Sequence, residues 1–357
     1  MRQKPTIAQV AEQAQVATST VSRVLNGGYA SPAVKTRVRQ VIRDLGYTPS
    51  LTARNLKLGR TGIIGVVVET SHSAWFTELL GGIEERLADE RTSLVLGSLS
   101  PRGQYQPGSV WSWIRERRVD GLIFARPAGD ERALVDAAKS AGLAFACVSP
   151  EQDLAEGTTL AAMNRAAGRE LARHLGALGH ERVAFFGGRE HSLTMQERLA
   201  GLVEGLRALG STLTDAHFTD ASDGAAGAYH ARYWLSLAAS SAPTAAVLGN
   251  DTMALGFMRT VQQRGIVIPD QLSVTGFEGL PEAELYWPGL TTMAEPLRQM
   301  GIDACELVLA QLRSGETGDT GEPAEPAARA YGMRLVARES TGPVPAERAS
   351  SEVRAAG

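Results

Sequence analysis

Thr6-Ile-Ala-Gln-Val-Ala-Glu-Gln-Ala14, then Gln15-Val16-Ala17, then Thr18-Ser-Thr-Val-Ser-Arg-Val-Leu-Asn26 is the stretch whose reading decides the fold at the N-terminus. In the first part Ile7, Val10, Ala11 and Ala14 recur at helical spacing, and Thr6 precedes them as a cap. The second part repeats the pattern with Val21, Val24 and Leu25, and Asn26-Gly27-Gly28 ends it. The three residues between leave room only for a tight turn, so the pair reads as a helix-turn-helix. A third helix is predicted from about Ser31-Pro32 to Leu45, with Val34, Val38, Val41, Ile42 and Leu45 closing a small core. Gly46-Tyr47-Thr48-Pro49 stops it. In such a motif the first turn of the second helix reaches base edges in the major groove, so Thr18, Ser19 and Arg23 are candidates for reading sequence. Thr18 serves equally as a helix cap or a reader; Arg23 has the donor fork that matches guanine.

Charge distribution supports that reading. Residues 1–60 carry ten Lys/Arg against Glu12 and Asp44, a net +8, while the remainder carries 26 basic and 37 acidic residues, a net −11. A basic head on an acidic body is the footprint of a nucleic-acid-binding module joined to something else. With 357 residues, 43% of them hydrophobic and 21% charged, the chain has globular composition and room for two or three domains. No apolar run reaches the ~20 residues that span a bilayer. The opening Met1-Arg-Gln-Lys-Pro leads into an amphipathic pattern rather than an apolar signal core, so the expected location is cytoplasmic. Cys147 and Cys305 stand apart in apolar surroundings and read as buried free thiols; no metal and no cofactor is expected.

Three segments carry a family resemblance: Thr6-Ile-Ala-Gln-Val-Ala, Thr20-Val-Ser-Arg-Val-Leu-Asn and Leu45-Gly-Tyr-Thr-Pro. With their spacing they closely resemble the head of the lac/galactose repressor family. The resemblance implies a homodimer on a near-palindromic double-stranded operator. It implies DNA contacts from Thr6, Thr20, Ser22, Asn26 and Tyr47 beside Thr18, Ser19 and Arg23. It also implies a hinge helix at Leu51-Thr-Ala-Arg-Asn-Leu-Lys, entering the minor groove with Leu56 as the wedge, Ala53 one turn earlier and Lys57 alongside.

From Thr61 buried strands alternate with helices. Gly62-Ile-Ile-Gly-Val-Val-Val, Ser93-Leu-Val-Leu-Gly, Gly121-Leu-Ile-Phe-Ala and Ala144-Phe-Ala-Cys-Val are separated by helices near 78–89, 109–117 and 130–141. A second series follows, with a helix from Asn164 to Leu178, the strand Arg182-Val-Ala-Phe-Phe and a helix near 197–209. Ala245-Ala-Val-Leu, a helix over 252–264 and Leu272-Ser-Val-Thr-Gly-Phe complete it. The expected fold is therefore an all-α helix-turn-helix head with a hinge helix, then an α/β body of two doubly wound parallel-sheet lobes. The expected boundaries are 1–49 for the head, 50–60 for the hinge and 61–341 for the body. Within the body, lobe 1 takes about 61–161 plus 294–322, and lobe 2 takes about 162–293 plus 323–341. Residues 342–357 read as a disordered tail; it has no leucine heptads, so a tail-mediated tetramer is not expected.

Leu178-Gly-His-Glu-Arg-Val-Ala-Phe-Phe-Gly-Gly, Gly249-Asn-Asp-Thr-Met-Ala-Leu-Gly and Arg338-Glu-Ser-Thr extend the resemblance to about Thr341, over a periplasmic-binding-protein-like body. It implies that a small, sugar-like effector sits between the lobes and controls DNA binding allosterically, most simply as a repressor. Position by position it points to Trp75, Phe76, Ser149, Arg198, Asn250 and Glu278. Arg198 has a second reading as a lobe-stabilising arginine, and Trp75 as plain core. The pocket departs from the family pattern: Ser73-Ala74 replace Asn-Pro, Ser149 stands where an aspartate is common, and Glu278 replaces an aspartate. Near Asp220-Ala221-Ser222 no aromatic platform stands. Either the ligand is unusual, or effector response is lost and the regulator is constitutive or partner-controlled. An enzyme is not expected, because there is no phosphate-binding glycine loop, nucleophile elbow or metal-spaced His/Cys set. His180 reads as a turn residue.

Overall fold

The computed structural model describes residues 5–25, 27–47, 59–69, 73–88, 90, 92–99, 109–151, 158–238, 241–317 and 328–344. They fall into two compact units, Met1–Gly62 and Ile63–Gly357.

The head has helices α1 (Ile7–Gln13), α2 (Thr18–Leu25) and α3 (Pro32–Leu45). α1 starts with a capping box: Gln9 N donates to Thr6 Oγ1 at 3.3 Å, and Thr6 N donates to Gln9 Oε1 at 2.8 Å. Gln15, at φ 52°, turns the chain between α1 and α2. Ser31 caps α3, Pro32 occupies its first position, and Gly46 at φ 61° ends it in the left-handed conformation that glycine adopts without strain. Val10, Ala11, Ala14, Val21, Val24 and Val38 form the core, with Val34, Val41, Ile42 and Leu45 packed against it. α2 begins at Thr18, and the Ala17 carbonyl accepts from Thr20 N and Val21 N. Thr18 is therefore the first helical residue and not the cap.

The body contains two six-stranded sheets. The first is built from β1 (Ile63–Val68), β2 (Ser93–Ser98), β3 (Gly121–Ala125), β4 (Ala144–Val148), β5 (Thr159–Ala162) and β11 (Arg329–Tyr331), in the order β11-β5-β4-β3-β1-β2, all parallel. The second comprises β6 (Arg182–Gly187), β7 (Thr212–Phe218), β8 (Ala245–Leu248), β9 (Ser273–Glu278), β10 (Thr291–Ala294) and β12 (Arg334–Val336). Its order is β12-β10-β9-β8-β6-β7, with only β12 antiparallel. Central strands β3, β8 and β9 are buried throughout, as strands covered by helices on both faces must be.

Helices α4 (Ala74–Leu87), α5 (Val110–Arg115), α6 (Arg132–Ser140) and α12 (Leu297–Thr317) belong to the first lobe. The second has α7 (Asn164–Ala177), α8 (Leu193–Ala208), α9 (Gly224–Ser236), α10 (Asp251–Gln262) and the short α11 (Pro281–Leu285). The chain crosses between lobes three times, after β5, after β10 and between β11 and β12. The third crossing lies at residues 332–333, about ten residues later than the 322/323 boundary expected from sequence, because β11 pairs with β5 before the chain leaves the first lobe. A three-residue strand with no apolar alternation has no signature until its partner is known.

Both sheets reverse strand order beside their first strand, and such switch points open a crevice at the carboxyl ends of the strands. α7 and α8 approach closely: a Cβ on Gly201 would lie 2.0 Å from the Arg165 carbonyl oxygen, and one on Gly168 would lie 2.4 Å from that of Arg198. That contact sets where α8 presents Arg198.

Candidate functional site

In the head, Thr18, Ser19 and Arg23 are exposed on α2, while Thr20 and Ser22 are half-buried. Gly28 N donates to the Arg23 carbonyl at 2.8 Å, and a Cβ on Gly28 would meet the Arg23 side-chain stem at 2.7 Å, so the loop after α2 packs on that stem. Thr6 is exposed and engaged in the α1 cap. Tyr47 is half-buried and packs on the head core. Arg37, Arg39 and Arg43 are exposed on α3. Asn26, Ala53, Leu56 and Lys57 lie outside the described residues.

In the body the carboxyl ends of the two sheets enclose a cleft of about 1910 Å³. Trp75 and Phe76 enter from the start of α4, Arg126 follows β3, Asn250 follows β8, and Glu278 ends β9. Asn250 is fixed twice: its Oδ1 accepts from Met253 N at 2.8 Å as the α10 cap, and its Nδ2 donates to the Ser222 carbonyl at 2.9 Å. Ser192 and Asp223 cap α8 and α9 in the same way, so three helix N-termini of the second lobe end at the cleft.

Among the described residues, three polar links join the lobes across this cleft. Arg126 pairs with Glu278, and the Arg126 guanidinium carbon lies 4.1 Å from the Trp75 ring centroid. Ser192 Oγ donates to the Glu151 carboxylate, and Leu193 N donates to the Glu151 carbonyl at 2.9 Å. At the rim Arg189 Nη2 is 3.3 Å from Glu69 Oε1, with both side chains about half exposed. That pair is screened and contributes little. The Arg126–Glu278 pair is desolvated. Burial opposes the Arg126 charge, but Glu278, Glu295 and Glu151 outweigh it and hold its pKa above the ordinary arginine value.

Beneath the cleft wall lies a second charged layer. Arg198 is fully buried: Nε donates to Asn164 Oδ1 at 2.8 Å, Nη1 donates to the Gly249 carbonyl at 2.7 Å, and Nη2 stands 3.7 Å from Glu295 Oε2. The guanidinium stacks 4.6 Å over the Phe277 ring. Nη2 has no hydrogen-bond acceptor among the described residues. Glu295 also accepts from Trp75 Nε1 at 3.4 Å and Ser149 Oγ at 3.3 Å. Ser149 (φ 48°) and Glu278 (φ 110°) both hold a positive φ at the end of their strands, where side chains with a Cβ cost about 1–3 kcal/mol. Next to them Asp251 Oδ2 accepts from Gly279 N and Leu280 N, each at 2.8 Å, and Oδ1 accepts from Thr292 Oγ1 at 2.6 Å. Asp251 thereby pins the turn that presents Glu278. Its burial lifts its pKa to about 8.

A family model described as "Bacterial regulatory proteins, lacI family" matches residues 6–50. The HTH-type transcriptional repressor PurR of Photobacterium profundum is 30% identical over 315 residues, covering 86% of this chain and 92% of that protein. The chain belongs to the lacI family. A second family model, the periplasmic binding protein-like domain, matches residues 172–341. The HTH-type transcriptional regulator DegA of Bacillus subtilis (strain 168) is 30% identical over 309 residues, covering 84% of this chain and 89% of DegA. Among solved structures, the lac repressor dimer bound to operator and the anti-inducer ONPF aligns with TM-score 0.78 at 24% identity, over 95% of this chain and 100% of that one. The transcriptional regulator CelR–cellobiose complex aligns with TM-score 0.67 at 26% identity, over 94% and 99%.

Within this lacI-family body, Trp75, Phe76, Asn250 and Glu278 all line the cleft. Trp75 is both core and wall, being 3% exposed. Ser149 and Arg198 are not on the cleft surface but directly behind it, joined through Glu295. Sequence reasoning missed Arg126, Glu151, Asn164 as an arginine acceptor, and Glu295. Arg126 had a usable signal, a charged residue directly after the buried strand Gly121–Ala125, at the carboxyl end where ligand sites form. Glu295 and Asn164 had none, because their role depends on the chain passing between lobes beside Arg198.

Proposed function

We propose that this protein is a DNA-binding transcription repressor whose operator affinity is set by a small molecule held between the two lobes of its body. The observation that carries the reading is the combination of an exposed arginine on the second helix of a basic helix-turn-helix with a two-lobed cleft whose walls are tied by side chains from both lobes. A ligand that binds differently to two lobe arrangements shifts the population between them, and coupling of ~1–3 kcal/mol changes operator affinity about 5–150-fold. The relatives named above as repressors and regulators, and the CelR structure in complex with cellobiose, support a sugar-like or similarly sized polar effector. Two copies of the chain place two heads on successive half-sites of a near-palindrome, with Leu56 wedged at the centre. The compartment that holds the operator, the cytoplasm, is where this activity belongs. Among the described residues, no helix is long and apolar enough to cross a membrane.

Operator selection from random DNA, followed by titration of the bound complex with a metabolite panel, tests the proposal. A near-palindromic site released by one metabolite class is the expected result. Binding without sequence preference overturns the DNA-binding half; a selected site indifferent to every metabolite overturns the sensing half.

A further inference from the structure

The chemistry of the Arg126 subsite points to a class of effector. The Arg126 guanidinium lies over the Trp75 face and against Glu278, whose side chain is 3% exposed. An aromatic face beside a desolvated carboxylate attracts positive charge from both directions. Among the described residues Glu278 is the only hydrogen-bond acceptor of Arg126, whereas Arg198 is anchored to Asn164 and the Gly249 carbonyl. Arg126 lines the cleft and Arg198 does not.

We propose that the effector is an organic cation, a small molecule bearing an amine or guanidino group, and that Arg126 is an internal competitor for its cationic subsite. This deepens the reading of the cleft as a sensor and rests on it.

Charge bookkeeping selects the cation over the alternatives. A neutral ligand that inserted between Arg126 and Glu278 would strip that buried carboxylate of its hydrogen-bonded counter-charge and leave it only the more distant Arg198, a costly exchange. A cation leaves nothing unpaired. It takes over Glu278 and the Trp75 face, and Arg126 turns toward carboxylates on its own lobe, of which Asp130, Glu131 and Glu151 line the cleft. The described wall of the cleft carries nine carboxylate side chains against three arginines and no lysine. Such a wall concentrates cations and repels phosphorylated or carboxylated metabolites. Glutamate at position 278, longer by one methylene than aspartate, supplies the reach across the lobe boundary to Arg126. Because that pair joins β3 of one lobe to β9 of the other, its exchange for a ligand contact unties a link between the lobes at the moment of binding.

Calorimetry on the full chain tests the subsite with ethylguanidinium, a copy of the arginine head, and with ethylurea, its uncharged isostere. Arg126→Ala is expected to bind ethylguanidinium at least about tenfold more tightly than the wild type, whose subsite is competent only in the fraction of molecules where Arg126 has left it. Ethylurea should give no comparable heat, and Glu278→Gln placed in the Arg126→Ala background should abolish the gain. Arg126→Gln, which keeps the stem and hydrogen-bonding capacity, repeats the measurement should the alanine variant fail to fold. Equal affinity of wild type and both variants overturns the proposal, as does ethylurea binding as well as ethylguanidinium. Operator selection with the wild-type chain is a separate readout: a selected operator together with no cation preference sinks the ligand class alone, and no selected operator sinks the sensor reading beneath it.

Discussion

Replacing Arg198 by Met keeps most of the side-chain volume and removes the guanidinium from a fully buried position. Three groups lose a partner. Asn164 Oδ1 and the Gly249 carbonyl each lose a donor at 2.8 and 2.7 Å, and the Glu295 carboxylate loses the cation 3.7 Å away. Both side chains of the Arg198–Glu295 pair are 1% exposed, so the remaining carboxylate loses its nearest counter-charge without being rehydrated, and only the more distant Arg126 still acts on it. Breaking one partner of a buried pair costs about 3–5 kcal/mol. At roughly 2–4 °C per kcal/mol for a body of this size, the unfolding midpoint should fall by about 6–20 °C. Glu295→Gln isolates the electrostatic part: Trp75 Nε1 donates to one carboxylate oxygen and Ser149 Oγ to the other, so an amide oxygen can still accept from Trp75 while the amide nitrogen donates to the Ser149 hydroxyl. The double variant should be more stable than the two single losses imply, by about 1–3 kcal/mol, because the second substitution removes the charge that the first stranded. Thermal and urea unfolding of all four proteins, followed by far-ultraviolet circular dichroism, measures this. Losses additive to within about 0.5 kcal/mol would mean that the two charges do not interact and that Arg198 is held by Asn164 and Gly249 alone.

Three further outcomes are expected. Arg23→Ala should lower discrimination between the selected operator and single-base variants by about 1–3 kcal/mol, as read in competition binding; an equal loss on every sequence would reduce Arg23 to a phosphate contact. Gly201→Ala should destabilise the body by about 1–3 kcal/mol in urea unfolding, since its Cβ would sit 2.0 Å from the Arg165 carbonyl; an unchanged midpoint would show that α7 and α8 can part without cost. His180 is 1% exposed, bonded to Thr244 Oγ1 and Ser273 Oγ at 2.9 Å each, and burial holds its pKa down to about 4. A histidine depressed in the folded state contributes stability that is whole above its unfolded pKa of about 6.5 and is lost as pH falls toward 4, about 3 kcal/mol in all. His180→Gln should flatten that acid limb when urea midpoints at pH 7 and 4.5 are compared; an equally steep limb would place the loss elsewhere, with His230, also held down to about 4, the next to replace.

The head was legible almost residue by residue. Its helices are short, local signals such as Thr6, Pro32 and Gly46 bound α1 and α3, and its core repeats at helical spacing. In the body, the central strands could be read because strands buried on both faces are continuous apolar runs. The edge strand β2 was read as well, but the edge strands β7, β11 and β12 were not. β7 alternates polar and apolar residues on one exposed side, β11 and β12 have three residues each, and a strand of that length exists only because a neighbour is there to pair with.

The cleft divides along the same line. Trp75, Phe76, Asn250 and Glu278 were reached through the family resemblance, position by position, and all four stand on the cleft wall. Arg126 against Glu278, and Arg198 above Glu295, join residues 152 and 97 positions apart. Nothing local in either partner announces the other. Sequence alone determined the head helices and the central strands of both lobes, because capping, periodicity and burial act over a few residues. Tertiary structure decided which charges meet, because burial makes every charge depend on its neighbour, and the chain chooses that neighbour only when the two lobes close around three crossings.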